Sequence, residues 1–455
     1  MMPALTPETR VHLVGVGGAG MSGIARILLQ RGHRVSGSDL RDGRTLEELR
    51  VLGARVEVAH AADHLGDADI VVTSTAVPDN NPEIVAARER GLPLLRRAEM
   101  LAQLMAQDHA VLIAGTHGKT TTTSMAVIGL QAAGGDPSFA IGGALNESGT
   151  NAHAGTDGRF IAEADESDRS FLVFRPDLVV ITNIEHDHPE EFADADSVEE
   201  AFSGFLERRA PGAPAVLCLD DPPTARLAEQ AEAPVVTYGA DPRADVRIVT
   251  EDGEHRLRID GEEVADLALA VPGWHNVLNA TAALAVCHQL GVDPAAAVSG
   301  ISRFTGASRR FQVLGEAARI RVVDDYAHHP TELRATLAAA RTTGPERIVL
   351  VVEPHRYSRT AALGAELGRA ASAADVVIVT DVYGSGEPPV PGVSGRTVAD
   401  AAAAAGATVV YRPHLNEVVD ELVEVVRPGD LVLTTGAGDV TQVGARLLAR
   451  LSGRR

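Results

Sequence analysis

The stretch "AVLIAGTHGKTTT", from Ala110 to Thr122, predicts the fold class of the chain. An apolar run of strand length enters a glycine-rich turn, and a threonine-rich segment then starts a helix, which is the order found in a P-loop. Lys119 is placed for the β and γ phosphates of a nucleotide, and the Thr120 hydroxyl for Mg²⁺. Ile113 stands where the long form of this loop has its first glycine, so the loop is the shortened G-T-H-G-K-T. The sequence therefore predicts an α/β domain that binds the phosphates of a nucleotide.

A second glycine-rich stretch, "GVGGAG" at residues 15–20, follows the first predicted strand and is called the first glycine loop below. Its glycines fit G-x-G-x-x-G, and Asp39 ends the next apolar strand at about the spacing of a dinucleotide-binding fingerprint. Taken alone, this pattern predicts NAD. Glycines that admit a diphosphate, followed by a helix N-terminus, suit a nucleotide sugar equally well. Both ligands stay open on the motif alone, as does a tight turn without a ligand.

Length and composition limit the classes of protein to consider. A chain of 455 residues exceeds one core, since domains usually hold about 100 to 200 residues, so we expect three domains. A net charge of -21 argues against nucleic acid as a partner. Cys218 and Cys287 have neither metal-ligand nor redox spacing, so both are expected in the core of a protein from a reducing compartment. Without a secretory leader or an apolar run of about 18 residues, we expect a cytoplasmic protein that does not insert into a membrane.

The alternation of apolar runs, glycine loops and amphipathic stretches restarts twice along the chain. It restarts near "MAQDH", residues 105–109, and again after "FTGASRRFQ", residues 304–312. This βαβ rhythm predicts buried parallel strands with helices between them. We therefore predict an α/β fold of three domains: Rossmann-like at residues 1–107, P-loop ATPase-like with a mixed sheet at 108–312, and Rossmann-like at 313–455.

Three segments carry local predictions of secondary structure. Apolar residues alternate in "VRIVTEDGEHRLRIDGEEV", residues 246–264, which predicts a β-rich insertion in the central domain. That domain then closes with a helix over residues 275–291. The alanine-rich stretch at 401–405 is expected to be helical rather than a linker.

Two acidic clusters follow apolar runs in the central domain. "AEADESD" at residues 162–168 contains Glu163, and "TNIEHDH" at residues 182–188 contains Asp187 and His188. Both fall at the carboxyl ends of predicted strands, where open α/β sheets bind their ligands. Mg²⁺ needs one or two carboxylates besides waters and phosphates, so these clusters are candidate metal ligands. Solvated acidic turns are the alternative.

Two polar loops follow apolar runs in the C-terminal domain. "DDYAHHPTE" covers residues 324–332, and "EPHRYSRT" covers residues 353–360. Arg356 and Arg359 are three residues apart, a spacing that can bring both guanidiniums to one side of a helical turn, so they could clamp a small carboxylate bidentately. The alternatives are a capped turn for the histidine pair and solvated arginines at a helix start.

Taken together, the motifs resemble the Mur ligases, and within them the branch that adds alanine to the peptidoglycan precursor. The resemblance spans nearly the whole chain and rests on nine stretches in order: "HLVGVGGAGMSGIA", "AGTHGKTTT", "EADESD", "TNIEHDH", "PGWHNVLNATAA", "GASRRFQ", "DDYAHHPTE", "PHRYSRT" and "GAGD". It implies an ATP-dependent ligase that joins L-alanine to the lactoyl carboxylate of UDP-N-acetylmuramate through an acyl phosphate. The expected assembly is a monomer or a weak homodimer.

The resemblance also implies roles for individual residues. The UDP-sugar would contact Gly15, Gly17, Gly18, Gly20, Met21, Asp39, Ser74 and Thr75. ATP would contact Gly115, Thr116, His117, Gly118, Lys119, Thr120, Thr121, His275, Asn276, Asn279, Arg310 and Asp325, with Mg²⁺ on Thr120, Glu163 and His188. Alanine would contact Tyr326, His328, Arg356 and Arg359, and the groups expected to act in catalysis are Lys119, Arg310 and His328.

One departure from the later Mur ligases concerns a second metal. Those enzymes carry a carbamylated lysine, whereas no lysine follows "HDH" in this chain, so the ligands of a second metal site stay open. Three other functions also stay open. They are a murein peptide ligase that attaches a recycled tripeptide to the same acceptor, an NAD-dependent oxidoreductase and a regulatory P-loop switch.

Overall fold

The computed structural model describes residues 5–6, 8–232 and 234–453, which form three β-sheets of five, ten and six strands. The chain divides into two compact units. The first unit comprises Met1–Ile184, Val198–Ala268 and Asn279–Arg303, and the second comprises Glu185–Ser197, Leu269–Leu278 and Phe304–Arg455.

The N-terminal sheet is parallel throughout, in the order β3-β2-β1-β4-β5. Its central strands are buried along nearly their whole length, as expected for strands covered by helices on both faces. Because the strands are parallel, the first glycine loop and the loops after β4 and β5 share one edge. The strands are β1 Arg10–Val14, β2 Arg34–Asp39, β3 Arg55–Val58, β4 Ile70–Thr73 and β5 Leu94–Arg96; the helices are α1 Ala19–Gln30, α2 Arg44–Val51, α3 Pro82–Glu89 and α4 Arg97–Met105.

The central sheet is mixed, in the order β15-β14-β13-β12-β11-β10-β6-β9-β7-β8. Its parallel core places β6 between β10 and β9, so the P-loop after β6 lies beside the acidic cluster after β9. The strands are β6 His109–Ala114, β7 Ser138–Ala140, β8 Ala152–His153, β9 Arg159–Glu163, β10 Leu178–Ile181, β11 Ala215–Cys218, β12 Val235–Gly239, β13 Val246–Glu251, β14 Glu254–Ile259 and β15 Glu262–Leu267; the helices are α5 Lys119–Ala132, α6 Ala195–Leu206, α7 Pro222–Gln230, α8 Trp274–Gln289 and α9 Pro294–Ile301.

The C-terminal sheet has the order β16-β17-β21-β18-β19-β20, with only β16 antiparallel. Separate clusters of buried aliphatic side chains, one with Leu333 and Leu367 and another with Val418 and Leu447, tie its helices to the strands. The strands are β16 Gln312–Ala317, β17 Ile320–Asp325, β18 Arg347–Val352, β19 Val376–Val379, β20 Thr408–Tyr411 and β21 Asp430–Thr435; the helices are α10 Pro330–Thr342, α11 Tyr357–Ala371, α12 Arg396–Ala404, α13 Leu415–Val425 and α14 Thr441–Ser452.

The main predictions about architecture are confirmed. The β-rich insertion is the antiparallel ribbon β13-β14-β15, the closing helix is α8, and the alanine-rich stretch lies in α12. Both cysteines are buried free thiols. The boundaries at residues 107 and 312 stay predictions. Within the described ranges, no helix is long and apolar enough to cross a membrane.

Candidate active site

The P-loop holds its lysine through backbone and carboxylate oxygens of the first unit. Gly118, with a φ of 83°, starts α5, and a Cβ there would lie 2.5 Å from the Asn279 amide oxygen. The Lys119 Nζ donates to the Gly115 carbonyl at 2.6 Å and to the Glu166 carboxylate at 2.8 Å. Burial would lower the pKa of Lys119, but Glu166 and other nearby carboxylates raise it above its usual value. The loop therefore keeps a partly buried cation, 17% exposed, where phosphates would bind.

The backbone of the P-loop is fixed by residues that follow β10. The His117 N–H donates to the Asn183 side-chain oxygen at 2.8 Å, and the Thr182 hydroxyl donates to the His117 carbonyl at 2.6 Å. The Thr116 N–H donates to the Asn183 carbonyl at 3.0 Å. Thr121 is buried at the start of α5. The first two residues of the "TNIEHDH" motif, Thr182 and Asn183, thus position the P-loop.

Two side chains at the P-loop, Thr120 and Glu163, offer oxygen atoms that could be metal ligands. The Thr120 hydroxyl donates to Glu163 at 3.1 Å, and the same carboxylate accepts the Gly142 N–H at 2.6 Å. A hydroxyl and a carboxylate fit Mg²⁺, which prefers oxygen ligands. The third expected ligand, His188, belongs to the second unit, where its Nδ1 lies 3.3 Å from Glu190.

The first glycine loop is fixed by the end of β2. The N–H groups of Gly15 and Val16 both donate to the Ser38 carbonyl, and the Gly17 N–H donates to Asp39 at 2.9 Å. A Cβ on Gly17 would lie 2.8 Å from the Asp39 carboxylate, so a larger residue there would displace the side chain that holds the loop. Asp39 therefore supports the loop from within. The other residues expected at the UDP-sugar lie at the same sheet edge: Gly18, Gly20 and Met21 at the start of α1, and Ser74 and Thr75 directly after β4.

A buried carboxylate that the sequence reading missed lies beside this loop. Glu83, on α3, has no exposed surface and accepts the Ser38 hydroxyl at 2.6 Å. Three histidine ring nitrogens surround it, from His12 at 3.4 Å, His60 at 3.5 Å and His64 at 3.2 Å. Burial raises the pKa of Glu83, but the hydrogen bonds from His12 and Ser38 outweigh it and leave this pKa below its usual value. A carboxylate in "NNPE" carries no motif signal, and only the fold brings these groups together.

In the second unit, the residues expected to contact ATP are held by hydrogen bonds and ring contacts within that unit. Asp325 is buried and accepts the N–H groups of Phe311 at 2.7 Å and Ala327 at 2.8 Å, and burial raises its pKa. Arg310 lies over the Tyr326 ring at 5.1 Å. Burial and the charge of Arg310 lower the pKa of His275 to about 4, so its ring is neutral at pH 7.

Aromatic and imidazole rings line the next part of this unit. The ring centroids of Tyr326 and His328 are 5.3 Å apart, and those of His328 and His355 are 5.5 Å apart. Burial lowers the pKa of His328 to about 4. Its Nδ1 donates to the Tyr326 carbonyl at 2.9 Å, so its Nε2 is a hydrogen-bond acceptor at neutral pH.

The two arginines after β18 are paired with carboxylates of the "HDH" loop. Arg359 is 3% exposed and donates to Asp187 through Nε at 2.8 Å and through Nη2 at 3.0 Å. Arg356 forms an ion pair with Glu190. Arg356 precedes α11 with a φ of 64°, so the two arginines do not lie on one regular helical turn as their spacing had suggested. Their shared binding of a substrate carboxylate stays a prediction.

Comparisons with known proteins agree with the presence of three α/β parts, each built on one of the three sheets. Models of the Mur ligase family catalytic domain, the Mur ligase middle domain and the Mur ligase glutamate ligase domain match residues 10–109, 113–287 and 309–438. The chain is 50% identical to the UDP-N-acetylmuramate–L-alanine ligase of Saccharopolyspora erythraea, over 97% of the chain and 93% of that protein. It is 47% identical to the enzyme of the same name from Rubrobacter xylanophilus, over 97% of the chain and 100% of that protein.

Solved structures give the same result. The UDP-N-acetylmuramate-alanine ligase of Thermotoga maritima matches with a TM-score of 0.83 and 30% identity, over 98% of the chain and 100% of that structure. A murein peptide ligase from Psychrobacter arcticus matches with a TM-score of 0.76 and 23% identity, over 98% and 99%, which shows a common fold. The chain therefore belongs to the Mur ligase family.

Proposed function

We propose that this protein is an ATP-dependent ligase that joins L-alanine to the lactoyl carboxylate of UDP-N-acetylmuramate, a step of peptidoglycan precursor synthesis. The observation that carries the proposal is 50% identity, across 97% of the chain, to an enzyme with that name. The two phosphate-binding loops support it, because such a ligase must hold both a UDP-sugar and ATP. The cytoplasm is the proposed location, and a monomer or weak homodimer is the proposed assembly.

The chemistry explains the need for ATP. A carboxylate does not react with an amine in water, so a lactoyl oxygen first attacks the γ-phosphorus and ADP leaves. The alanine amine then attacks the carbonyl carbon of the acyl phosphate, and inorganic phosphate leaves. Negative charge develops on phosphoryl oxygens in both steps, and one preorganised donor in such a place is typically worth about 3 kcal/mol.

Separate groups of residues are proposed to bind ATP and Mg²⁺. The loop from Gly115 to Thr121 binds the ATP phosphates, with Lys119 as the partly buried cation. Thr120, Glu163 and His188 are the residues that would hold Mg²⁺, and a bound Mg²⁺ would neutralise phosphoryl charge. The remaining residues proposed for ATP are His275, Asn276, Asn279 and Asp325, with Arg310 toward the γ-phosphate.

Alanine is proposed to bind beside the neutral ring of His328. With a pKa of about 4, this ring orients the amine by accepting a hydrogen bond and is a weak base for its proton. Tyr326 stacks edge-on against it. Both arginines are paired with carboxylates, Arg356 with Glu190 and Arg359 with Asp187, but the Arg356 side chain is 32% exposed and that of Arg359 is 4% exposed, so Arg356 is the more accessible to the alanine carboxylate.

The test is phosphate release from MgATP with UDP-N-acetylmuramate and L-alanine, omitting each in turn. Release should need both UDP-N-acetylmuramate and L-alanine, because the acyl phosphate turns over only when alanine captures it. Robust ATPase activity without either substrate would indicate a P-loop switch. Turnover of the tripeptide but not of free alanine would indicate a murein peptide ligase, and binding of NAD in place of the UDP-sugar would indicate an oxidoreductase.

A further inference from the structure

Arg309 is the charged residue of "GASRRFQ", residues 306–312, that the proposed function leaves without a role. Its neighbour Arg310 is proposed to reach the γ-phosphate of ATP. The Arg310 guanidinium lies 3.8 Å from Glu332, beyond hydrogen-bonding distance, and 29% of its side chain is exposed. Arg310 can therefore reach a ligand, whereas the side-chain hydrogen bonds of Arg309 go to other residues of the second unit.

The Arg309 guanidinium holds the loop that follows β21. It donates to the backbone carbonyls of Gly436 and, at 3.3 Å, of Ala437, which begin the "GAGD" motif. Its Nε donates to the Asp324 carboxylate at 3.2 Å. Asp324 lies on β17, is fully buried and also accepts the Thr441 hydroxyl at 2.9 Å. Arg309 thus joins its own turn to β17 and to the loop after β21.

The turn that carries Arg310 has a strained backbone. Arg309 has a φ of 59° and Phe311 a φ of 48°, so the residues on both sides of Arg310 lie in the left-handed region. Residues with a Cβ persist in that region only where surrounding contacts hold them. The Arg309 carbonyl accepts the Tyr326 N–H at 2.8 Å, and the Phe311 N–H donates to Asp325 at 2.7 Å. These contacts with the C-terminal sheet set the direction in which Arg310 leaves the turn.

Both guanidiniums also lie against one aromatic ring. The Cζ atom of Arg309 is 5.0 Å from the centroid of the Tyr326 ring, and that of Arg310 is 5.1 Å from it. A cation over an aromatic face is attracted by the quadrupole of the ring. Displacing Arg309 would therefore disturb both the backbone of Arg310 and the ring beside its guanidinium.

We propose that Arg309 is a positioning residue for transfer of the γ-phosphoryl group and that it acts through Arg310. This inference rests on the proposed function, which places Arg310 at that group. A lysine at position 309 would keep a positive charge beside Asp324, but it lacks the planar fork that donates to the carbonyls of Gly436 and Ala437 together. The turn would then be held less firmly, and a misplacement of about 1 Å at a reacting centre can cost about 10²-fold in rate.

The experiment is a double-mutant cycle of Arg309→Lys and Arg310→Gln, in which kcat is measured by phosphate release at saturating MgATP, UDP-N-acetylmuramate and L-alanine. Arg310→Gln should lower kcat by about 10²-fold, as the loss of a preorganised charge does. Arg309→Lys should lower kcat by about 10-fold or more in the wild-type background, but by less than about twofold in the Arg310→Gln background, where the group it positions is absent. Thr441→Val is the control, because it removes another hydrogen bond to Asp324 and leaves the contacts of Arg309 in place. Its kcat should stay within about twofold of wild type.

The cycle separates positioning from a general structural role. A loss of stability acts in both backgrounds, so equal losses of kcat from Arg309→Lys with and without Arg310 overturn the inference. An unchanged kcat in Arg309→Lys overturns it, and so does an equal loss in Thr441→Val, which would make the contacts of Asp324 responsible. A normal kcat in Arg310→Gln also overturns it, since Arg309 would have no group to act through.

A second variant covers the case in which Arg309→Lys does not fold. Arg309→Gln combined with Asp324→Asn removes both charges of the buried pair together, so neither is left uncompensated. This combination is compared in the same two backgrounds and decides in the same way. A wild-type protein that releases no phosphate with all three substrates present would instead overturn the proposed function.

Discussion

Breaking the ion pair between Arg359 and Asp187 should destabilise the second unit strongly. Both side chains are buried, with 4% and 7% of their surface exposed, and two hydrogen bonds of 2.8 and 3.0 Å join them. Arg359→Met keeps most of the apolar volume but leaves the Asp187 carboxylate buried without its counter-ion. Removing one partner of a buried pair costs about 3 to 5 kcal/mol, because the remaining charge is uncompensated. In a domain of about 150 to 250 residues, this lowers Tm by about 6 to 20 °C.

Differential scanning calorimetry of four variants tests this magnitude. Asp187→Asn should also destabilise, since it leaves Arg359 as the unpaired buried charge, whereas the double variant removes both charges. Its loss should therefore be smaller than the sum of the two single losses, by about 1 to 3 kcal/mol. Arg369→Met is the control, because Arg369 lies on the same helix with 58% of its side chain exposed and should change stability by less than about 1 kcal/mol.

The same variants separate stability from alanine binding. Arg359→Met should raise the KM for alanine if Arg359 binds its carboxylate, while Asp187→Asn frees the guanidinium and should leave that KM unchanged or lower. Additive losses of stability in the double variant, or a Tm for Arg359→Met equal to that of the Arg369→Met control, would refute the reasoning about the pair. A normal KM for alanine in Arg359→Met would move the amino-acid site away from this residue.

Four further predictions concern other parts of the protein. Lys119→Ala should lower kcat by at least about 10²-fold by removing a preorganised cation, and calorimetry should find UDP-sugar affinity unchanged; a collapse of that affinity with an intact fold would contradict the division of the two loops. Gly17→Val should weaken the UDP-sugar and spare ATP in the same assay, because its Cβ would lie 2.8 Å from Asp39; equal loss of both ligands would count against it. The pKa of Glu83 is lowered from its ordinary value of 4.5, so its contribution to stability is complete above pH 4.5 and is lost as the pH falls through the lowered pKa. The Tm difference between wild type and Glu83→Gln should therefore be largest at neutral pH and shrink in acid. His328, with a pKa of about 4, should give the pH profile of the alanine KM no inflection between about pH 5.5 and 8, and an inflection that disappears in His328→Gln would show a protonated ring.

Local sequence determined the architecture, because each signal lies within a few residues. Alternating apolar runs and glycine loops predicted three α/β domains, and an alternating pattern predicted the ribbon of β13 to β15. Backbone conformation explains part of this predictability. Gly118 has a φ of 83°, a backbone conformation that residues with a Cβ rarely adopt. Strand, turn and helix could therefore be predicted without knowledge of distant residues.

Partners of the charged side chains were decided by the tertiary structure. Glu166 meets Lys119 because β9 lies next to β6, and strand order cannot be deduced from the residues of either strand. The spacing of the arginines suggested one helical turn, but Arg359 instead pairs with Asp187, 172 positions earlier. A charge in a buried site is stabilised by whichever opposite charge the fold brings within about 3 Å, and that proximity depends on the packing of whole strands and helices. The sequence alone therefore predicted the two glycine-rich loops and the turns that they form, and only the fold decided which side chains hold the charged groups beside them in place.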